Sequence, residues 1–89
     1  MKALKIIVTG KVQGVFFRKY TRDKAVELDI KGLVRNEPDG SVLIEAEGEE
    51  RKLNEFVSWC REGSPAANVE DVKTEPQKPK GFSEFKIDY

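Results

Sequence analysis

The chain has 89 residues, with 16 Lys and Arg balancing 16 Asp and Glu, a single Cys and no His. That is room for one small domain over residues 1–89, since domains run about 50–250 residues. The absent His removes the commonest general base and metal ligand, and one Cys excludes an internal disulfide or a Cys-rich zinc site, so triads of the Ser-His-Asp kind are out. Zero net charge opposes a general nucleic-acid binder. The charge is uneven, however: residues 1–35 hold nine basic and three acidic side chains, and residues 36–89 hold seven and thirteen. A soluble chain of 10.1 kDa exposes roughly 5,300 Å² once folded.

Leu4 to Thr9 is rich in β-branched residues and reads as a strand ending at Gly10. Its apolar run is too short for a signal peptide or a membrane helix, so a cytoplasmic protein is expected. Phe17 to Leu28 reads as an amphipathic helix whose apolar stripe is Phe17, Tyr20, Thr21, Ala25 and Leu28. Strands at Lys31–Asn36 and Ser41–Glu47 flank Pro38-Asp39-Gly40, a tight-turn sequence. In the second of them Val42, Ile44 and Ala46 alternate with Leu43, Glu45 and Glu47, a half-buried pattern.

Leu53, Phe56, Val57 and Cys60 stand at i, i+3, i+4 and i+7, the clearest helical signal in the chain, and Gly63 followed by Pro65 stops that helix. Cys60 belongs to this apolar stripe, where a thiol serves as a small hydrophobe. Asn68 to Thr74 is a strand in which Val69 and Val72 stand three apart, implying a bulge or a twisted start. Lys78-Pro79-Lys80 reads as an exposed connection. Phe85, Ile87 and Tyr89 then alternate in a short last strand. The order predicts an α+β, ferredoxin-like split βαβ fold: an antiparallel sheet with two helices on one face, βαββαβ plus a short C-terminal strand.

The segment Gly10-Lys11-Val12-Gln13-Gly14-Val15-Phe16-Phe17-Arg18 joins the first strand to the first helix. Its glycines allow a backbone concavity, and the helix start supplies free N–H groups and a dipole that favour anions. Arg18 adds a planar donor fork suited to phosphate. A plain strand-to-helix turn with a surface Arg fits the same spacing. Neither a Walker A ending nor G-x-G-x-x-G is present.

The run Gly10-x-Val12-Gln13-Gly14-Val15-x-Phe17-Arg18, with Gly32-x-Val34-x-Asn36-x-x-Asp39-Gly40-x-Val42, resembles the acylphosphatase family. Gly63-Ser64-Pro65-Ala66-Ala67-x-Val69-x-x-Val72 and Phe85-x-Ile87 extend the likeness over nearly the whole chain. Asp29 stands where many members have Gly, a place where Asp tolerates left-handed geometry. The resemblance implies a phosphate cradled by backbone N–H groups of Gln13, Gly14, Val15, Phe16, Phe17 and Arg18, with the Arg18 guanidinium clamping it and Asn36 holding the attacking water. The implied partner is a small acyl phosphate, acted on by a monomer without a cofactor or metal.

The chemistry agrees with the missing His. An acyl phosphate carries its own leaving group, a carboxylate, so positioning and charge stabilisation are what remain to be supplied. The Asn36 amide cannot act as a base at neutral pH; it can orient water, with the substrate's own phosphate as proton acceptor. Two non-enzymatic readings share the topology. One is a regulatory module. The other is an RNA-recognition motif, for which Lys80-Gly81-Phe82-Ser83 begins correctly, but Glu84 replaces the aromatic and the run sits at the wrong end of the chain.

Overall fold

The computed structural model describes all of residues 1–89. In chain order the elements are β1 (Lys2–Lys11), α1 (Phe17–Glu27), β2 (Lys31–Asn36), β3 (Val42–Gly48), α2 (Glu50–Glu62), β4 (Asn68–Pro76) and β5 (Phe85–Asp88). The sheet runs β4-β1-β3-β2-β5. The ferredoxin-like order expected from the sequence is therefore present, with one correction. β5 pairs parallel to β2, Val34 opposite Ile87, so the sheet is mixed rather than wholly antiparallel. The connection from β4 crosses the whole sheet and delivers β5 to the far edge running the same way as β2.

Strand parity divides the sheet into two faces. Ile6, Val8, Val34, Val42, Ile44, Ala46, Val72 and Phe85 point to the helices and form one cluster with Phe17, Ala25, Leu53, Phe56 and Cys60. Burying a Phe such as Phe56, which is fully enclosed, stabilises the fold by about 1.5–3 kcal/mol. The folded chain exposes 5366 Å², close to the size-based expectation.

α1 uses a narrower stripe than its sequence indicates. Phe17, Thr21 and Ala25 are buried at i, i+4 and i+8, but Tyr20 is 41% exposed because the helix meets the sheet along this single ridge. Thr21 is wholly buried and donates its hydroxyl to the Phe17 carbonyl at 2.7 Å, which satisfies it internally. Asp29 takes the left-handed conformation expected of it, φ 56°. The irregularity in β4 is a bulge: Thr9 faces Asp71 and Gly10 faces Val69, leaving Glu70 unpaired.

β3 departs most from its sequence pattern. Every residue of it is buried, Glu45 and Glu47 included. It lies at the centre of the sheet, and residues 77–84 pass over its second face as a strap. The Gln77 N–H donates to the Ala3 carbonyl at one end, and the Gly32 N–H donates to the Glu84 carbonyl at the other. Beneath the strap, Glu47 accepts the backbone N–H groups of Lys80, Gly81 (3.2 Å) and Phe82 (3.3 Å). Lys80-Gly81-Phe82 is thus fastened to an acidic side chain outside any strand, not displayed on a central strand as RNA recognition requires.

Candidate active site

β1, β2 and β5 run in one direction, so their C-terminal ends lie together at one end of the sheet. The start of α1 is at the same end. Open sheets place ligand sites at such strand ends. Here the arrangement gathers Val12, Gly14, Phe16, Phe17, Arg18, Lys19, Asn36, Ile87 and Tyr89 around one cavity of about 260 Å³.

The loop from Val12 to Phe16 is anchored by apolar side chains within it and at the first residue beyond it. Val12, Val15 and Phe17 enter the core, each no more than 6% exposed. Two residues adopt left-handed backbone, Gly14 with φ 73° and Phe16 with φ 60°. A Cβ at Gly14 would meet nothing within 4 Å, so the glycine is required by the dihedral angle and not by space. Left-handed residues set among right-handed ones turn successive N–H groups to a common side, the geometry of an anion nest.

None of the N–H groups of Gln13, Gly14, Val15 and Phe16 donates to a backbone acceptor. The first N–H groups of α1 are free by construction. Its N-cap, Phe16, makes no side-chain cap, and there is no acidic residue in the first turn. The buried Ser64 hydroxyl donates to the Val15 carbonyl at 2.8 Å. Because a trans peptide sets C=O and N–H in opposite directions, this bond aims the Phe16 N–H away from Ser64.

The Gln13 side chain has a task that the sequence does not announce. Its Nε2 donates to the carbonyls of Glu37 and Ser41, both at 2.8 Å. It therefore points away from the loop's concavity and ties the loop to the β2–β3 turn, immediately beyond Asn36. Only the Gln13 backbone is left to face a ligand. The turn itself is rigid: Asp39 accepts the Ser41 N–H at 2.9 Å and its hydroxyl at 2.6 Å. Those bonds, the hydroxyl's first, hold the Asp39 carboxyl below its usual range.

Asn36 ends β2 on the helix-facing side, in step with Val34. Its Oδ1 is buried and has no hydrogen-bond partner. A buried amide oxygen without a donor costs about 1–3 kcal/mol, so a donor from a ligand or water is the natural complement. Arg18 forms no ion pair with any carboxylate. Its guanidinium lies over the Tyr89 ring, 4.9 Å from the centroid, within cation–π range. Lys19, by contrast, is held by Asp23 at 2.8 Å.

Of the residues singled out in the sequence, Gly14, Phe16, Phe17, Arg18 and Asn36 line this cavity, whereas Gln13 and Val15 belong to the loop but not to the cavity wall, the one tied to the β2–β3 turn and the other sunk in the core. The structure adds Tyr89 and Ile87 to the cavity and Ser64 beneath it. The signal for Ile87 and Tyr89 was present as alternation at the chain's end, but only the parallel pairing of β5 with β2 carries them here. Cys60 lies apart in the core, where burial pushes its thiol up to about 12.

Fold and site together define a small ferredoxin-like protein with a loop of unpaired N–H groups at a strand–helix junction. The acylphosphatase family model matches residues 4–87. A protein of Thermotoga maritima named acylphosphatase is 51% identical over 89 residues, covering 100% of this chain and 99% of its own. One from Archaeoglobus fulgidus with the same name is 46% identical over 89 residues, covering both chains fully. The crystal structure of acylphosphatase from Bacillus subtilis superposes with a TM-score of 0.97 at 39% identity, covering 100% of each chain. The chain belongs to the acylphosphatase family.

Proposed function

We propose that Gln13 to Arg18 and Asn36 perform the acylphosphatase activity that family membership brings to this chain: hydrolysis of the carboxyl–phosphate bond of small acyl phosphates to a carboxylate and inorganic phosphate. The phosphoryl group sits in the concavity of the loop, its equatorial oxygens accepting N–H groups from Gln13 to Arg18. The Arg18 guanidinium supplies the positive charge. Asn36 Oδ1 accepts a hydrogen bond from water and directs its lone pair at phosphorus, opposite the departing carboxylate oxygen. As the P–O bond to the acyl group breaks and the bond to water forms, the water proton passes to a phosphate oxygen. The carboxylate leaves without needing a proton.

Preorganised donors of this kind stabilise the transition state because they need not reorient during the reaction. Gln13 and Ser64 act one step removed. Gln13 fixes the spacing between cradle and water holder, and Ser64 fixes the loop's peptide orientation. The observation that carries the proposal is the coincidence, in one cavity, of unpaired loop N–H groups, an unpaired Arg18 and the unpartnered Asn36 Oδ1.

The test is phosphate release from a set of acyl phosphates, with phosphate monoesters as controls. Acyl phosphates should be hydrolysed and esters left nearly untouched, because the groups assigned to the reaction, the loop N–H groups, Arg18 and Asn36, include no general acid to protonate an alkoxide leaving group. Comparable rates on the esters would refute the mechanism. Labelled RNA left unshifted at physiological salt would accord with zero net charge.

A further inference from the structure

Phe16 opposes two ordinary preferences at once. It is an aromatic residue in left-handed backbone, φ 60°, and the residue is 73% exposed. The cradle explains the first feature and not the second. A Gly or Asn at this position would present the same N–H with less strain, and no large ring would then stand in solvent. The ring stacks on no other ring of the protein, the aromatic contacts being Phe17 with Trp59, and Phe56 with Trp59 and Phe85. Strain held at a position whose side chain serves no packing purpose points to a ligand.

The cavity beside it carries the same sign. Its apolar walls are Val12, Phe16, Phe17, Ile87 and Tyr89, beside Gly14, Arg18, Lys19 and Asn36. Tyr89 is 94% exposed although it lies against Arg18. Of the two cations lining the cavity, Arg18 lies over the Tyr89 ring and is the one assigned above to the phosphoryl group, and the Lys19 ammonium pairs with Asp23. No uncommitted cation in the wall remains for a second negative charge on the substrate.

Resting on the phosphate site proposed above, we infer that the acyl half of the substrate lies against the rings of Phe16 and Tyr89, and that the site selects aromatic or branched apolar acyl phosphates over acetyl or carboxylate-bearing ones. An apolar acyl group covers both rings from water while the cradle fixes the phosphoryl end. Phe16 is then a specificity residue through its side chain, independent of the N–H that it lends to the cradle.

The experiment measures kcat/KM for benzoyl, acetyl and succinyl phosphate, each divided by its spontaneous hydrolysis rate, on the wild-type protein and on Phe16→Gly, Phe16→Asn and Phe16→Leu. The quantity read is the benzoyl-to-acetyl ratio within one variant, so any common effect on the cradle cancels. The wild-type ratio should be about tenfold or more, with succinyl phosphate no better than acetyl. Phe16→Gly and Phe16→Asn should lower the ratio roughly three- to tenfold, the worth of an aromatic contact, and Phe16→Leu should fall between. Hydrolysis of all three substrates with a ratio unmoved by these variants overturns the inference and leaves the phosphate site standing. A wild-type protein that releases phosphate from none of them overturns both.

Discussion

The cradle loop and the strap over β3 use the same backbone device and differ in where the acceptor comes from. In the strap, Gly81 takes φ 80° and the N–H groups of Lys80, Gly81 and Phe82 converge on Glu47. In the cradle, Gly14 takes φ 73° and the N–H groups of Gln13 to Phe16 converge on no group of the protein. Glu47 is carried by β3 and fully buried, so the strap's acceptor arrives with folding and the device closes the sheet. The first turn of α1 has no acid that could plug the cradle, whereas α2 begins with Glu50. A nest filled from within is structural, and one left open is available to substrate.

Removing the acceptor or donor on either side separates the two roles. Glu47→Ala should have the largest effect on the fold, about 3 kcal/mol by denaturant unfolding, because three N–H groups lose their partner at about 1–3 kcal/mol each. Water reaching the exposed Lys80 and Gly81 limits the loss. Turnover per folded molecule should stay the same, and a selective loss of turnover would break the comparison.

Arg18→Ala is the converse. Catalytic efficiency should fall at least roughly 100-fold, about 2.7 kcal/mol, by analogy with loss of an oxyanion donor. Stability should change little, since Arg18 pairs with no carboxylate and only rests on Tyr89. Wild-type efficiency in this variant would remove Arg18 from its proposed role.

Asn36→Ala should lower turnover by about 10- to 100-fold, the scale of a misplaced reacting group. Competitive inhibition by inorganic phosphate should persist, because the loop and Arg18 remain. The melting temperature should hold or rise, as the variant removes a buried oxygen that has no partner. Collapse of phosphate affinity would make Asn36 a binding residue and would blur the division between cradle and water holder.

Much of this arrangement could be read from the chain, and the exceptions have physical causes. The α2 stripe of Leu53, Phe56 and Cys60 follows from periodicity alone, whereas the glycines and Arg18 of the loop fit a plain turn as well as an anion site, and only the longer motif around them points to the second. Three features depend on partners distant in sequence. The burial of Glu45 and Glu47 needs a strap more than 30 residues further along. The Gln13 side chain is indistinguishable from a ligand-binding amide until the β2–β3 turn lies beside it, 24 residues on. Tyr89 reaches Arg18 only through the parallel edge pairing of β5. Local pattern specifies which face a residue occupies, and topology decides what covers that face.

Acid offers the gentlest way to part the two regions. Burial pushes the Glu45 carboxyl up, but the Lys80 ammonium at 2.6 Å and the Gln77 amide at 3.0 Å outweigh it, so the group titrates below its ordinary value of 4.5. A lowered folded-state pKa contributes stability that is fully present above pH 4.5 and is lost as pH falls through the lowered value. The Lys80 side chain is 58% exposed, and solvent screening keeps this contribution to about 1 kcal/mol or less. The stability difference between wild type and Glu45→Gln should therefore shrink between pH 6 and pH 3. A difference that stayed constant with pH would show that Glu45 holds the strap by geometry and not by charge. The backbone N–H groups of the loop and the Asn36 amide carry no acidic or basic proton to exchange in this window, so acid should loosen the strap before it alters these groups.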